Sequence, residues 1–300
     1  MTTSKRVVFF GNERLVSGLK HSSTPVLLGL IERDYDVACV VVNNSDAVSR
    51  TARTLEVADI AKARSIPVLS PDRPSNIIDQ LASYNADFAI LAAYGRIIPQ
   101  RVIDVFSPIG IINIHPSLLP RHRGPTPIET TITSGDTQAG VSIMQLTAGM
   151  DEGPTYGQLT YDIHGDEDKF VLCERLSTMG AELLFELLPG IIDGSVNAKP
   201  QQNSGVTYTT LISKQDGIVD PTTETATEIS RKVRAHLGYP KSRLHYKNAD
   251  VIITSAKPTD TVAEGELCIP CADNSTLLVD TLIAPNGKSM SGAAYLRGLR

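Results

Sequence analysis

The chain has 300 residues, 41% of them hydrophobic and 20% charged, with a formal net charge of −5. This permits a real core in one large or two ordinary domains, and it excludes a global attraction to nucleic acid. No apolar run reaches the roughly 18 residues of a membrane span, and Met1–Arg6 leads straight into a strand without a signal-peptide core, so the chain reads as cytosolic.

Residues 5–10 form a short hydrophobic strand that ends at Gly11-Asn12. A helix over 22–33 follows, capped by Ser22, Ser23 or Thr24, with Pro25 in its first turn. Residues 37–42 are continuously apolar, as in a parallel strand covered on both faces. A helix over 51–64, a short strand at 67–69, a helix over 75–84 and an apolar strand at 87–91 come next. This alternation predicts an α/β, doubly wound Rossmann-like sheet. The turn after the first strand, Gly11-Asn12-Glu13-Arg14-Leu15, lacks G-x-G-x-x-G and gives a dinucleotide no support.

Beyond a strand at 111–115, the spacing predicts a helix over 126–133 and strands at 140–146 and 156–163. A long amphipathic helix over 166–188 should be ended by Pro189 and Gly190. Residues 198–207 are polar and aperiodic, and they read as a linker between a domain over 1–197 and another over 208–300. In the second, a helix over 223–235 and short strands at 242–246, 250–256, 266–270 and 275–283 suggest a small OB-like β-barrel, a shape that often holds nucleic acid.

The chemistry concentrates at the end of strand 111–115. Residues two apart on a strand point the same way, so Asn113 and His115 present an amide and an imidazole together. An amide can polarise a carbonyl and an imidazole can move a proton, which suggests acyl transfer; a purely structural hydrogen-bonded pair has the same spacing. Asp151, on the glycine-rich loop after the next strand, is the candidate to orient the imidazole, or it caps a turn. The apolar loop 92–99 could line a pocket for a flat ring system or simply pack under its neighbour. Cys268-Ile-Pro-Cys271 has metal-ligand spacing but no second pair or nearby histidines, and no metal is expected.

N-I-H-P-S-L-L-P-R-H-R-G-P-T-P-I (113–128), followed by S-G-D-T-Q-A-G-V-S-I-M-Q-L-T-A-G-M-D-E-G-P (134–154), resembles the formyltransferases that use 10-formyltetrahydrofolate, whose signature pairs N-x-H and S-L-L-P with a later D-x-G. A-Y-G-R-I-I-P (93–99), Arg234-Ala235 with Tyr239-Pro240, and G-K-S-M-S (287–291) are most similar to the members of that family whose acceptor is methionyl-tRNA, and the likeness spans almost the whole chain. The resemblance implies catalytic roles for Asn113, His115 and Asp151, and folate contacts at Leu91, Ala93, Tyr94, Gly95, Ile97, Ser117, Leu118, Leu119 and Pro120. It implies a cytoplasmic, monomeric enzyme that takes 10-formyltetrahydrofolate and initiator methionyl-tRNA; the alternative acceptor is a nucleotide-linked amino sugar or other small amine. Arg50 and Arg53, the two bases of a short insertion, with Arg121, Arg123, Arg231, Lys232, Arg234, Lys241 and Arg243, are the candidates for RNA contact.

Overall fold

Seven strands make one sheet: β1 (Arg6–Gly11), β2 (Asp36–Val41), β3 (Val68–Leu69), β4 (Phe88–Ala92), β5 (Ile111–His115), β6 (Gln138–Gln145) and β7 (Thr155–Asp162), in the order β3-β2-β1-β4-β5-β6-β7. The computed structural model describes residues 5–43 and 55–299, so Arg50 and Arg53 lie outside the described residues. Strands β3 to β5 pair in parallel, and β6 and β7 return antiparallel. One apolar cluster covers one face (Phe9, Ile90, Ile112, Leu184) and a second covers the other (Phe10, Leu91, Phe106, Ile111), which is why β1, β4 and β5 read as unbroken apolar runs.

The first helix, α1 (Pro25–Glu32), is capped from a distance. Thr24 occupies the N-cap with a left-handed backbone and no side-chain bond, and the Glu13 carboxylate accepts from Val26 N and Leu27 N, both at 2.9 Å. The expected Ser/Thr cap therefore gives way to an acid from the preceding turn, with the same electrostatic logic. Helices α2 (Glu56–Ala63), α3 (Ile78–Ser83), α4 (Gln100–Ile103) and α5 (Pro127–Ser134) complete the crossovers. The long helix α6 (Lys169–Asp193) runs through Pro189, where the sequence predicts a stop, and ends at Gly194 in the left-handed region. Leu188 and Ile191, buried on either side of Pro189, anchor the helix past the backbone bond that proline cannot make.

The second sheet has the order β11-β12-β10-β9-β8, with strands β8 (Ile218–Val219), β9 (Ser242–Tyr246), β10 (Ala249–Pro258), β11 (Cys268–Pro270) and β12 (Thr276–Ile283); β13 (Ser289–Ser291) pairs with β12. Helix α7 (Ala226–Ala235) closes its core and starts in a capping box formed by Thr225 and Glu228; the short helix α8 (Gly292–Arg297) ends the fold. Among the described residues no helix is long and apolar enough to cross a membrane, and no group of three His, Cys, Asp or Glu side chains could hold a metal ion.

Two buried groups make stability depend on pH with opposite signs. Burial, together with the charges of Lys169 and Lys232, pushes His236 down to about 4. It therefore contributes stability above its ordinary value of 6.5 that is lost as pH falls toward 4, about 3 kcal/mol. Burial pushes Glu13 up to about 7 against the pull of its two helix bonds. Its share is complete below 4.5 and lost as pH rises through 7, again about 3 kcal/mol. Denaturant titrations at several pH values should show wild-type stability falling relative to Glu13→Gln between pH 4.5 and 7, and rising relative to His236→Phe between pH 4 and 6.5. Parallel pH curves for wild type and either variant would contradict the assignment.

Candidate active site

A cavity of about 550 Å³ opens at the C-terminal ends of β1, β4 and β5, where the strand order reverses between β1 and β4. Asn113 and His115 reach it from the end of β5; both are buried, and Asn113 faces Leu91 on one side and Met144 on the other. Pro116 ends the strand, so the chain leaves the sheet directly after His115.

Asp151 arrives from the loop between β6 and β7. Gln145 N donates to Pro154 O at 2.9 Å and closes that loop, and Asp151 holds a left-handed backbone (φ 49°) at its tip. Its carboxylate Oδ2 accepts from Gly124 N at 2.8 Å and lies 3.7 Å from His115 Nδ1. The other ring nitrogen, His115 Nε2, is 2.9 Å from the carbonyl oxygen of His122. A carbonyl only accepts, so Nε2 carries a hydrogen, and the proton that can come and go is the one on Nδ1, beside Asp151.

His122 is itself anchored. Its backbone is left-handed (φ 58°), its N–H donates to Thr207 Oγ1 at 2.8 Å, and its Nε2 is 2.7 Å from Asp136 Oδ2. Burial lowers the His122 pKa, and the bond to Asp136 pulls it back up. Arg121 grips both oxygens of the same Asp136, at 2.9 and 2.5 Å. His122→Ala should release the carbonyl that orients His115 and lower kcat about 10–100-fold with little change in KM; an unchanged kcat would show that the ring of His122 does not hold that carbonyl in place.

Of the expected folate residues, Leu91, Ala93, Tyr94, Gly95 and Ile97 line the cavity. Ala93 and Gly95 have positive φ, and Asn43 Nδ2 donates to Tyr94 O at 3.2 Å, which fixes this loop against the sheet. The Tyr94 ring packs edge-on against Phe10, and its buried hydroxyl has no hydrogen-bond partner among the described residues. Ser117, Leu118, Leu119 and Pro120 are not among the residues that line the cavity. They strap the loop to β6: Ser142 Oγ donates to Ser117 O at 2.6 Å and accepts from Leu119 N at 3.1 Å, and the Leu118 side chain lies over Gly140. Arg14, Leu15, Met150 and Leu211 line the cavity unforeseen; the position of Arg14 and Leu15 just after β1, at the reversal of strand order, is the signal for the first two.

The candidate RNA residues divide. Arg121 is committed to Asp136; Arg123 is buried, bonds Gln201 Oε1 at 3.0 and 2.7 Å and reaches the hydroxyl of Tyr208 at 3.1 Å. Lys232 pairs with Glu224 and donates to Ile218 O, and Arg234 donates to Glu167 O at 2.7 Å. Arg231 is half-buried over Gly135, while Lys241 and Arg243 are exposed. Arg121, Arg123, Lys232 and Arg234 thus each make internal bonds, to partners that charge counting along the sequence does not reveal. The polar stretch expected as a linker is likewise bound to the site: Gln201 Nε2 donates to Asp151 O and Gly153 O, both at 2.8 Å.

The family model described as "Formyl transferase" matches residues 5–188, and that described as "Formyl transferase, C-terminal domain" matches residues 211–300. The chain belongs to the formyl transferase family. The methionyl-tRNA formyltransferase of Chloroflexus aggregans is 32% identical over 309 residues, covering 98% of this chain and 97% of that protein. Solved structures extend the likeness in fold. HypX from Aquifex aeolicus in complex with tetrahydrofolic acid aligns with a TM-score of 0.67 at 18% identity over 98% of this chain and 47% of HypX, so the chain spans about half of HypX. An N-formyltransferase from Helicobacter canadensis in complex with folinic acid and dTDP-3-aminofucose aligns with a TM-score of 0.67 at 16% identity, over 92% of this chain and 98% of that one.

Proposed function

We propose that this formyl transferase moves the formyl group of 10-formyltetrahydrofolate to the α-amine of initiator methionyl-tRNA, in the cytoplasm and as a monomer. One observation carries the reading: an amide, an imidazole and a carboxylate (Asn113, His115 and Asp151) converge on one wall of a cavity whose other walls are apolar loops. The cavity's volume is within the range of small-molecule sites. The methionyl acceptor is supported by relatives about 30% identical over both domains, whereas the amino-sugar enzyme is alike in fold alone.

The donor, once bound, supplies an activated formyl carbon. An α-amine titrates near about 7.7–8.0, so part of it is unprotonated at neutral pH and can attack without a strong base. The Asn113 side-chain N–H donates to the oxygen that becomes negative as the C–N bond forms. His115 Nδ1 passes a proton between the attacking amine and the departing N10 nitrogen, while the Asp151 carboxylate balances the imidazolium that this exchange creates. The new amide keeps the formyl carbon, N10 leaves with the proton, and no redox change occurs.

A formylation assay with methionyl-tRNA and the folate donor tests the reading, with a nucleotide-linked amino sugar offered in parallel. Wild type should formylate methionyl-tRNA, and His115→Ala should not. Equal rates for the two proteins, or a preference for the sugar amine, would overturn it.

A further inference from the structure

The stretch between the two domains crosses both segments that carry the His115–Asp151 pair. It is first joined to the start of β7, where Lys199 and Thr155 exchange backbone bonds at 2.8 Å each. Residues 202–205 are exposed, and the chain then runs parallel to the segment after His115. There Arg123 N donates to Thr207 O at 2.9 Å and Thr209 N donates to Arg123 O at 2.7 Å. Thr207 Oγ1 accepts from His122 N at 2.8 Å, and the carbonyl of His122 is the group that holds His115 Nε2.

Gln201 lies where this stretch passes the loop of Asp151. Its Oε1 accepts from Arg123 Nε at 3.0 Å and Nη2 at 2.7 Å, while its Nε2 donates to Asp151 O and Gly153 O, both at 2.8 Å. A guanidinium only donates and a carbonyl only accepts, so the orientation of the amide is fixed by its neighbours. The charged donors on its oxygen polarise the amide and strengthen the two bonds that its nitrogen gives to the loop. A carboxylate would satisfy Arg123 and could donate nothing to the carbonyls; an amide serves both sides.

We infer that residues 199–209 are a positioning element for the catalytic pair, in which Gln201 sets the place of Asp151 and Thr207 sets that of His115 through the carbonyl of His122. The inference rests on the acyl-transfer reading and adds positioning residues to that same centre. Asp151 Oδ2 and His115 Nδ1 are 3.7 Å apart and belong to different segments, the loop after β6 and the end of β5, and this stretch is fastened to both sides. The direct tie between those sides, Gly124 N to Asp151 Oδ2, occupies the working carboxylate itself. Gln201 holds the loop by its backbone and leaves the carboxylate to face the imidazole.

The test uses the full-length protein with methionyl-tRNA and 10-formyltetrahydrofolate. Gln201→Glu keeps an acceptor for Arg123 and removes both donors to the loop. It should lower kcat about 10–100-fold, with KM for either substrate within about twofold of wild type and a melting temperature within about 3 °C. In an Asp151→Asn background the same change should lower kcat by no more than about twofold, because the carboxylate that it places is already gone. Thr207→Val removes the acceptor for His122 N at nearly constant volume and should lower kcat about tenfold, whereas Thr207→Ser keeps the hydroxyl and should stay within about twofold of wild type. The inference is overturned by a Gln201→Glu protein with wild-type kcat, by losses that multiply in the double variant, or by a Thr207→Ser protein as slow as Thr207→Val. With an active wild type, each of these results leaves the acyl-transfer reading standing. A wild type that does not formylate methionyl-tRNA overturns both.

Discussion

Asp151→Asn should lower kcat about 100- to 10,000-fold while leaving the protein folded. The substitution separates two jobs that the carboxylate performs with the same oxygen. Oδ2 accepts from Gly124 N at 2.8 Å, which ties the loop after β6 to the segment after β5, and it lies 3.7 Å from His115 Nδ1. An asparagine oxygen can keep the bond to Gly124, and asparagine tolerates the left-handed backbone (φ 49°) at this position. What it cannot do is balance an imidazolium. His115 Nε2 is committed to the His122 carbonyl, so Nδ1 is the nitrogen left for proton exchange, and it would then face a neutral amide. Steady-state kinetics and a thermal melt decide the matter together. A large fall in kcat with an unchanged melting temperature and folate KM supports the role. A comparable fall in stability would mean that Asp151 is chiefly a loop tie, and full activity would remove it from the mechanism.

The parts of this architecture that could be read from sequence are those set by near neighbours along the chain. Asn113 and His115 share a face because they are two apart on a strand, and that strand is recognisable because both faces of the sheet are covered. The alternation of apolar strands and amphipathic helices carries the first domain in the same way. What escapes is whatever depends on a partner far away in sequence. Glu13 caps α1 across a turn, and Thr24, one of the three caps expected there, makes no side-chain bond to the helix. Arg123 resembles a phosphate ligand until Gln201 and Tyr208 are found around it, 78 and 85 residues away. Ser117 and Leu119, expected against the folate by resemblance alone, also bind the loop to β6 through Ser142, whose hydroxyl only the fold brings near. The passage of α6 through Pro189 is another such case, since burial of Leu188 and Ile191 outweighs one missing backbone bond.

Lys169→Met should destabilise the protein by about 3–5 kcal/mol, the usual cost of leaving one member of a buried ion pair alone. Lys169 opens α6 with no exposed surface, and its Nζ donates to Tyr239 O at 2.8 Å and Ser17 Oγ at 3.3 Å, with Glu129 Oε1 at 3.5 Å. One side chain therefore links the first domain to the segment that follows α7. Burial lowers the Lys169 pKa and raises that of Glu129 against their mutual attraction. Desolvation is thus the larger force on each, and the pair adds little net stability even though breaking it is expensive. Two consequences distinguish this account from simple loss of packing. With Lys169 gone, the Glu129 carboxyl loses its cation and stays protonated to a higher pH in the folded state than in the unfolded chain. Its contribution is then full below the ordinary carboxylate value and lost as pH rises through the folded one, so Lys169→Met should recover stability relative to wild type as pH is lowered. The second consequence is rescue: adding Glu129→Leu should restore most of the loss at neutral pH, because two apolar side chains leave no buried charge to solvate. Urea unfolding of the single and double variants at two pH values reads both effects. A single variant whose deficit is independent of pH, or a double variant less stable than the single, would show that the bonds of Lys169 to Tyr239 and Ser17 dominate instead of its partnership with Glu129.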